Sequence, residues 1–461
     1  MATVNNLPTE LLCQIFENVF SSSNPLPFDY TRRRLLYQTQ RATDISSCDC
    51  ATLDTIWNYE EFGHVTMSPF TLARVCTRWY DIVSYFTHFW THLVIDVSRP
   101  IRQRQFEAFE LCYPHPFMLY IFSNMYLPKE EENRRVLAIM DALKSHINRC
   151  VSIVFRIQYA SSLPHLSLLL SSPGLRLEEI RMECRTQDFI PALLIRLDES
   201  VSHLQYISVN GRTFMSLCYS DTNQLAQFGS VHPLSLRVSD LTLHRNEFRI
   251  FMTILDGISA NEVFLSNVTL STRPLKRRNI ERTYDHITEL FEFSDVCPTF
   301  ISDFFNSSSF DYVYLFRIIG CRIPRMRARL PEDGLELRDI PRDAAPALPD
   351  QSIRNILSVF EGSTLDMSRC VSLTDDTLGW LATRDVARRL LRMSVRDCPN
   401  ITPLGVRHLL TMRHGCGSYR KLIQFFATGE MQPLDEDDLY WFSRWKREST
   451  TNIIRWPNYI F

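Results

Sequence analysis

Apolar residues recur with the period of a helix in two stretches near the N-terminus. In the first twenty residues they occupy positions 7, 11, 12, 15, 16, 19 and 20, along one stripe of a helix. Pro8 stands where a first-turn proline is tolerated, because its missing N–H would have no intrahelical partner. The pattern returns from Leu72 to Val83, with Trp90 and Leu93 following. Two short helices this apolar must pack on each other, on the next domain or on a partner.

Beyond residue 90 the pattern changes to short strand-like runs. Their middle apolar residues are Leu93, Leu119, Ile153, Ile180, Ile207, Leu241, Val263, Val313, Leu365 and Met393. Two long intervals leave room for further runs around Phe291–Phe293 and Leu335–Leu337. Helices are predicted between runs, among them Glu131–Ile147, Phe189–Leu197 and Phe248–Leu255. Strands and helices that alternate at this period predict an α/β fold in which units stack side by side to bury one continuous core.

The most specific repeat lies near the C-terminus. A fourteen-residue pattern that begins at Leu365 recurs 28 residues later and superposes Cys370 on Cys398. Its form, Leu-x-Leu-x-x-Cys-x-x-Leu-Thr-Asp-x-x-Leu, resembles the cysteine-containing leucine-rich repeat. The resemblance implies an irregular solenoid, a curved parallel sheet with outer helices. A small, weakly polar cysteine packs well behind a strand, and Thr374 and Thr402 can each cap the helix that follows.

The N-terminal motifs resemble the F-box. Leu7–Phe16 reads Leu-Pro-x-Glu-Leu-Leu-x-x-Ile-Phe, Leu72–Ile82 reads Leu-x-x-Val-Cys-x-x-Trp-x-x-Ile, and Trp90–Leu93 reads Trp-x-x-Leu. The spacing departs from the family, so about 21–69 is interpreted as an insertion, a long surface loop between the first two helices. The resemblance implies a eukaryotic protein that docks onto a Skp-family adaptor, and through it onto a cullin–RING (SCF) ubiquitin ligase, and presents an unidentified protein target.

These patterns predict three parts of the chain. An F-box-like helical domain occupies 1–95, a leucine-rich-repeat solenoid 96–416, and a C-terminal cap or tail 417–461. Within the last part, Asp435–Lys446 predicts a helix with acidic residues at its N-terminus and basic residues at its C-terminus, as the helix dipole favours. Its aromatic residues either cover the open end of the solenoid or form a recognition tail along the concave face.

The resemblance and the surplus of apolar surface together predict the binding residues. The predicted adaptor-binding residues are Leu7, Pro8, Leu11, Leu12, Ile15, Phe16, Leu72, Val75, Cys76 and Trp79. Trp79 is also predicted, with Trp90 and Leu93, to join the box to the first repeat. The target is expected on the concave strand face, at Arg156, Arg181, Glu183, Tyr206, Ser208, Asp240, Thr242, His244, Asp366 and Arg396. Their mixture of charged and hydrogen-bonding groups suits a protein surface better than a small-molecule pocket.

Composition narrows the possible partners and compartments. A hydrophobic content of 45% with 12% aromatic residues predicts a folded chain. A formal net charge of -2 gives no bulk attraction to nucleic acid or anionic membranes, and neither is an expected partner. No apolar run approaches the roughly 20 residues that span a bilayer. The 13 cysteines lack Cys-x-x-Cys spacing and predict free thiols in a reducing compartment, cytoplasmic or nuclear.

Motifs for catalysis and cofactors are missing from the sequence. It contains no Gly-rich phosphate loop, dinucleotide fingerprint, Gly-x-Ser-x-Gly or His-Glu-x-x-His. Cys48, Cys50 and His64 lack the further ligands that a metal needs, so neither a metal nor a cofactor is expected. The basic segments 271–283 and 320–345 are interpreted as projecting loops. The predicted function is therefore a non-catalytic substrate-recognition subunit; the alternative is a scaffold that binds the adaptor without directing ubiquitin transfer.

Overall fold

The computed structural model defines most of the chain in two compact units, Met1–Pro191 and Ala192–Phe461. It describes residues 7–23, 68–164, 169, 176–186, 188, 204–217, 234–258, 260–271, 284–326, 330, 333–342, 350–383, 386–415, 422–448 and 453–461. Most of the predicted insertion, with Cys48, Cys50 and His64, lies outside these residues. So do the helix predicted at 189–197 and nearly all of the loop predicted at 271–283.

The first unit starts with helices and continues with alternating strands and helices. Its opening helices are α1 (Thr9–Ser23), α2 (Ser68–Ala73) and α3 (Thr77–Tyr85), and a 3-10 turn (Thr87–Trp90) follows. The next elements are β1 (His92–Asp96), α4 (Gln103–Leu111), β2 (Phe117–Phe122), α5 (Lys129–Leu143), β3 (Cys150–Tyr159) and β4 (Glu179–Thr186). These four strands pair in parallel and in chain order. The helix predicted at 131–147 corresponds to α5.

The second unit contains the longer sheet. Its elements are β5 (Tyr206–Asn210), α6 (Gly211–Leu217), β6 (Leu234–Leu243), α7 (Arg245–Gly257), β7 (Ala260–Leu270), β8 (Tyr284–Ser294), α8 (Pro298–Ser307), β9 (Ser308–Ile319), β10 (Gly334–Arg338), α9 (Gln351–Leu357), β11 (Thr364–Ser368), α10 (Asp375–Thr383), β12 (Arg392–Arg396), α11 (Pro403–Gly415), β13 (Gln424–Thr428), α12 (Glu436–Glu448), β14 (Ile453–Trp456) and β15 (Tyr459–Ile460). Neighbouring strands from β5 to β14 are parallel, and β15 returns antiparallel to β14. The predicted α/β class, with a long and mostly parallel sheet, is confirmed.

On each strand from β1 to β14, two buried residues separated by one occupy equivalent positions in the strand register. In the first unit the buried pairs are 93/95, 119/121, 153/155 and 180/182. In the second unit they are 207/209, 236/238, 263/265, 291/293, 316/318, 335/337, 365/367, 393/395, 425/427 and 454/456. Most predicted runs, including those at 291 and 335, are confirmed. The runs centred on Leu241 and Val313 were placed wrongly: the equivalent pairs are Leu236–Val238 and Phe316–Ile318.

A left-handed turn explains why the β6 prediction failed. Across the second unit, positive φ angles recur at Asp240, Asn267, Asp295, Gly320, Asp339, Arg369, Asp397 and Gly429. Glycine adopts this conformation freely, and Asp and Asn tolerate it because their short side chains bond locally. The turn shifts the alternation of apolar residues by one position. Leu236 and Val238 precede Asp240, whereas Leu241 and Leu243 follow it, so the sequence pattern shows two competing runs.

Buried cysteines directly after the left-handed turn contact the neighbouring strand. The Cys370 thiol lies 3.4 Å from the Leu337 carbonyl oxygen, and the Cys398 thiol lies 3.7 Å from that of Met367. Each thiol also lies near a carbonyl oxygen of its own strand, that of Ser368 at 3.4 Å and that of Arg396 at 3.3 Å. This shared pattern of contacts confirms the alignment of Cys370 with Cys398. Cys321 makes the same contact with Phe293 at 3.7 Å and is a third equivalent cysteine that the motif search missed.

The helix caps follow the sequence signals in part. The Thr402 hydroxyl accepts a hydrogen bond from the Gly405 N–H at 3.2 Å and caps α11, as predicted. The Thr374 hydroxyl instead lies 3.4 Å from the Thr377 hydroxyl, so the backbone cap predicted there is not observed. At α12, the Asp438 N–H donates to the Asp435 carboxylate at 2.7 Å, which confirms a capped terminal helix.

The parallel strand series extends past the boundary drawn at residue 416. β13 and β14 continue the register of β12, with Met393 opposite Phe425 and Phe425 opposite Ile454. The C-terminal segment therefore contains a further strand–helix–strand unit, and α12 is its connecting helix. Phe442 of α12 is fully buried. The 320–345 segment, interpreted as a loop, likewise contains β10.

Candidate interaction surfaces

Helix α1 carries two apolar faces, one buried and one exposed. Leu12 and Phe16 are completely buried, whereas Leu11, Ile15 and Val19 are 45%, 42% and 39% exposed. The three exposed residues are four positions apart, so they form a continuous stripe along the helix. The stripe exposes large apolar side chains to water, which is the usual property of a surface that another protein covers.

The buried face of α1 is fixed by contacts with α3. The rings of Phe16 and Trp79 meet edge to face with their centroids 4.7 Å apart. The Arg78 guanidinium donates to the Leu7 carbonyl oxygen at 2.8 Å and to the Thr9 hydroxyl at 3.1 Å. These contacts set the rotation of α1 and thereby direct Leu11, Ile15 and Val19 away from the interior.

Trp90 joins the opening helices to the first strand. Its ring meets that of Phe70 edge to face at 5.0 Å, and its indole N–H donates to the Val83 carbonyl oxygen at 3.0 Å. Leu93, three residues later, is buried in β1. The joining role predicted for Trp90 and Leu93 therefore agrees with the structure, whereas Trp79 packs on α1.

The predicted adaptor-binding residues separate into three groups by exposure. Pro8, Leu11, Ile15 and Val75 are exposed. Leu7, Leu72, Cys76 and Trp79 are partly buried. Leu12 and Phe16 are corrections: they pack in the interior and do not reach a partner while α1 keeps this packing. Val19 was missed, although its position four residues after Ile15 would have identified it.

Three of the predicted target-binding residues share one face of the first unit's sheet. The Arg156 guanidinium lies 3.7 Å from the Glu183 carboxylate, its register partner on β4. Burial lowers the pKa of Arg156, and Glu183 opposes that change. Arg181 pairs with Glu179 at 2.5 Å. Arg156, Arg181 and Glu183 thus lie on one face, where each of the two arginines is paired with a carboxylate.

Tyr206 and Ser208 are buried within the sheet of the second unit. On the neighbouring strand the register partner of Ser208 is Arg237, whose guanidinium lies 5.2 Å from the centre of the Phe264 ring. The outward row that contains Ser208 therefore continues through Arg237. Sequence reasoning missed this residue because it placed the β6 run five residues too late, on Leu241 instead of Leu236.

Asp240, Thr242 and His244 lie farther along the chain, after the row that contains Ser208 and Arg237. The Asp240 carboxylate accepts a hydrogen bond from the Asn267 amide at 2.7 Å. The Thr242 and Thr269 hydroxyls are 3.0 Å apart. His244 precedes α7, and its backbone N–H donates to Glu247 at 2.7 Å. The left-handed turn at Asp240 lies between these residues and the row that contains Ser208, and the pairing of β6 with β7 continues beyond it.

A buried charge network lies on β8, β9 and β10. The Arg317 guanidinium pairs with Glu292 at 2.8 Å and with Glu336 at 2.6 Å, and Glu336 also pairs with Arg338. Burial raises the pKa of the Glu336 carboxyl, but Arg317 and Arg338 outweigh it and hold the pKa below its ordinary value. The sequence signal was a single charge between two large apolar residues, in Phe316–Ile318 and Leu335–Leu337.

The remaining predicted residues, Asp366 and Arg396, lie on a more accessible part of the same face. Asp366 on β11 pairs in register with Ser394 on β12, between Arg392 and Arg396. These four side chains are exposed or half-buried. Burial, together with the charge of Glu336, raises the pKa of Asp366 to about 7, although Arg338 and Arg396 oppose the rise.

The chain gave no match to a protein-family model and none to a curated protein. Within the described ranges, no helix is long and apolar enough to cross a membrane. The same residues hold no group of three or more His, Cys, Asp or Glu side chains placed to bind a metal ion. The cysteines that the structure describes are free thiols.

Proposed function

We propose that this protein is a non-catalytic substrate-recognition subunit of an SCF-type (cullin–RING) ubiquitin ligase. The opening helices act as an F-box that binds a Skp-family adaptor, and the sheet that follows acts as a leucine-rich-repeat surface for a protein target. The observation that carries the proposal is the second apolar face of α1, formed by Leu11, Ile15 and Val19.

The energetics favour a protein partner for this stripe. Burying a large aliphatic side chain completely contributes about 1.5–3 kcal/mol. Each stripe residue already has part of its surface covered, so a partner gains on the order of 1 kcal/mol from each. Val75, beside α3, is 54% exposed and adds to the same supply of apolar surface. The resemblance of Leu7–Phe16 and Leu72–Ile82 to the F-box is the reason for proposing the adaptor as that partner.

The repeat geometry supports the second half of the proposal. Successive parallel strands, a left-handed turn after each strand core from β6 to β14 and cysteines that contact the preceding strand are compatible with stacked leucine-rich repeats. In such a stack, the outward polar side chains of all the strands form one surface that a target can contact. In this complex the chain contributes by holding its target near the ligase, which raises the effective concentration of the reacting groups.

Affinity purification from cells with the proteasome blocked tests the proposal. The test variant is Leu11→Asp/Ile15→Asp, and the matched control is Val371→Asp/Leu404→Asp, which introduces the same two charges at apolar residues that are 43% and 71% exposed. We expect adaptor and cullin to copurify with the wild type and with the control, and to be lost from the test variant. Far-UV circular dichroism of all three proteins should be similar.

Two results would contradict the proposal. Retention of adaptor and cullin by the test variant would show that the stripe is not the contact surface. Unfolding of the test variant alone would show that Leu11 and Ile15 belong to the interior. Adaptor without cullin would instead favour the scaffold function.

A further inference from the structure

The sheet face of β11 to β14 differs in charge from the strands that precede it. These four strands carry three arginines, Arg392, Arg396 and Arg455, and a single acidic residue, Asp366. Alternation along β12 places Arg392, Ser394 and Arg396 on one side, because Met393 and Val395 are fully buried on the other. The face is therefore positively charged although the chain as a whole is not.

The two arginines of β12 are available to a ligand. Arg392 is exposed and Arg396 is half-buried. Among the residues that the structure describes, no carboxylate lies within ion-pair distance of either guanidinium. Asp366 influences Arg396 electrostatically from farther away, and with a pKa raised to about 7 by burial it is partly uncharged at neutral pH. Asp366 therefore neutralises little of the positive charge of this face at neutral pH.

Strand geometry spreads the positive charges over the face. Arg392 and Arg396 are four residues apart on an extended strand, or about 13 Å between their Cα atoms. Arg455 lies in the row of Ser394 and Phe426, two strands away from β12 at about 10 Å. A single phosphate group is best bound by guanidiniums that converge on one point. Arginines whose Cα atoms are this far apart fit carboxylates spaced along an extended chain.

Phe426 adds an apolar contact between the charges. Its side chain is half-buried in the outward row between Ser394 and Arg455. An extended peptide laid along β12 would meet the guanidiniums of Arg392 and Arg396, with the Phe426 ring beside the segment between them. Arginine and aromatic groups are the side chains that contribute most to peptide and protein interfaces.

We propose that the β11–β14 face docks an extended acidic segment of a target protein, with Arg392 and Arg396 pairing with carboxylates spaced along it. This inference rests on the proposed function only in identifying the bound segment as part of a ligase target. The surface itself depends on the second unit alone, whereas adaptor binding is assigned to α1 in the first unit.

Fluorescence anisotropy tests the docking surface on the full chain. The probe is a labelled twelve-residue peptide with glutamate at alternate positions, compared with its glutamine counterpart and with a neutral peptide carrying one phosphoserine. The test variant is Arg392→Glu/Arg396→Glu. The control, Arg245→Glu/Arg322→Glu, changes the net charge equally at two exposed arginines off this face. Adaptor copurification is measured on the same proteins.

We expect the glutamate peptide to bind the wild type and the control with Kd values within about twofold, and the test variant at least about tenfold more weakly. The glutamine peptide should bind poorly. Equal loss in the control would show bulk charge attraction, and tighter binding of the phosphoserine peptide would show phosphate recognition; either overturns the proposal. Loss of adaptor binding in the Leu11→Asp/Ile15→Asp variant with peptide binding intact is the expected separation. A failure to bind adaptor in the wild type would overturn only the ligase function.

Discussion

Two neighbouring parts of one sheet treat charge in opposite ways. On β8 to β10, Arg317 and Glu336 are buried and saturated by one another and by Glu292 and Arg338. On β11 to β14, Arg392 and Arg396 are accessible and have no carboxylate within ion-pair distance among the described residues. The charges of β8 to β10 pair with one another inside the protein, whereas those of β12 are accessible to a partner.

The contrast shows that charge on a strand is not by itself a sign of binding. A buried ion pair loses hydration on both groups, and only good geometry and further hydrogen bonds offset that loss. Arg317 satisfies both conditions, so its role is structural. Arg392 keeps its hydration until a ligand arrives. The burial of neighbouring groups, rather than residue type, separates the two cases.

The largest predicted effect concerns the buried network. Arg317→Met leaves the carboxylates of Glu292 and Glu336 without their main partner, and we expect the free energy of unfolding to fall by about 3–5 kcal/mol. Arg392→Met, the matched change on the open face, should alter it by less than about 0.5 kcal/mol. Urea denaturation of both variants measures the difference. Similar losses in the two variants would erase the contrast between the regions.

The second prediction concerns the left-handed turn after β13. Gly429 has a φ of +73°, and a Cβ added there would lie 1.9 Å from an Asp397 carboxylate oxygen. We expect Gly429→Ala to lower the free energy of unfolding by about 1–3 kcal/mol through backbone strain and crowding. The control Gly379→Ala, in α10, meets its nearest atom at 3.9 Å and should stabilise by up to about 1 kcal/mol. If Gly429→Ala left the free energy of unfolding unchanged, the left-handed turn would not require glycine at this position.

The third prediction concerns pH and the open face. Because burial raises the pKa of Asp366 to about 7, the folded protein holds this proton more tightly than the unfolded chain. The group therefore lowers stability as pH rises from the ordinary Asp value near 4 to about 7. Asp366→Asn removes this loss, so the variant should gain on the wild type with rising pH. The gain at pH 8 should be on the order of 1 kcal/mol, since solvent screens a half-exposed charge.

Denaturation at several pH values provides the measurement. Ser394→Ala, in the same row, is the control that introduces no titrating group and should show a constant offset from the wild type. A pH-independent offset for Asp366→Asn would contradict the assignment of the raised pKa to this carboxyl.

The smallest predicted effect concerns an exposed ion pair directly after the C-terminal ends of β10 and β11. Arg369 and Asp339 make a bidentate pair at 2.8 and 2.9 Å, but their side chains are 49% and 40% exposed. We expect Arg369→Ala to cost only about 0.2–1 kcal/mol, and less at high salt. Thermal unfolding at low and high salt tests this. A loss as large as that of Arg317→Met would show that exposure does not govern these pairs.

Much of the fold was predictable from local pattern. Leu365, Met367, Met393 and Val395 are buried because one large apolar residue at every second position permits only one strand face to point inward. Cys370 and Cys398 aligned in sequence because the same small space recurs in each unit. The acidic start and basic end of α12 were equally legible, since they respond to the dipole of that helix alone.

The candidate surfaces depended on information that sequence does not hold. Leu11 and Leu12 are adjacent leucines within one motif, yet only the packing of Phe16 against Trp79 determined which of them faces water. Arg317 and Arg392 are likewise both strand arginines. Their burial depends on side chains from neighbouring strands, up to tens of residues away in the chain.

The amino-acid sequence by itself determined the alternation of strands and helices, the repeated cysteine position and the presence of two apolar N-terminal stretches. These features follow from periodicity within a few residues. The tertiary structure alone determined the strand register after the left-handed turns, the exposed stripe of α1 and the division between paired and open charges. Those properties arise from contacts between residues distant in the chain, where burial sets both the energy and the accessibility of each group.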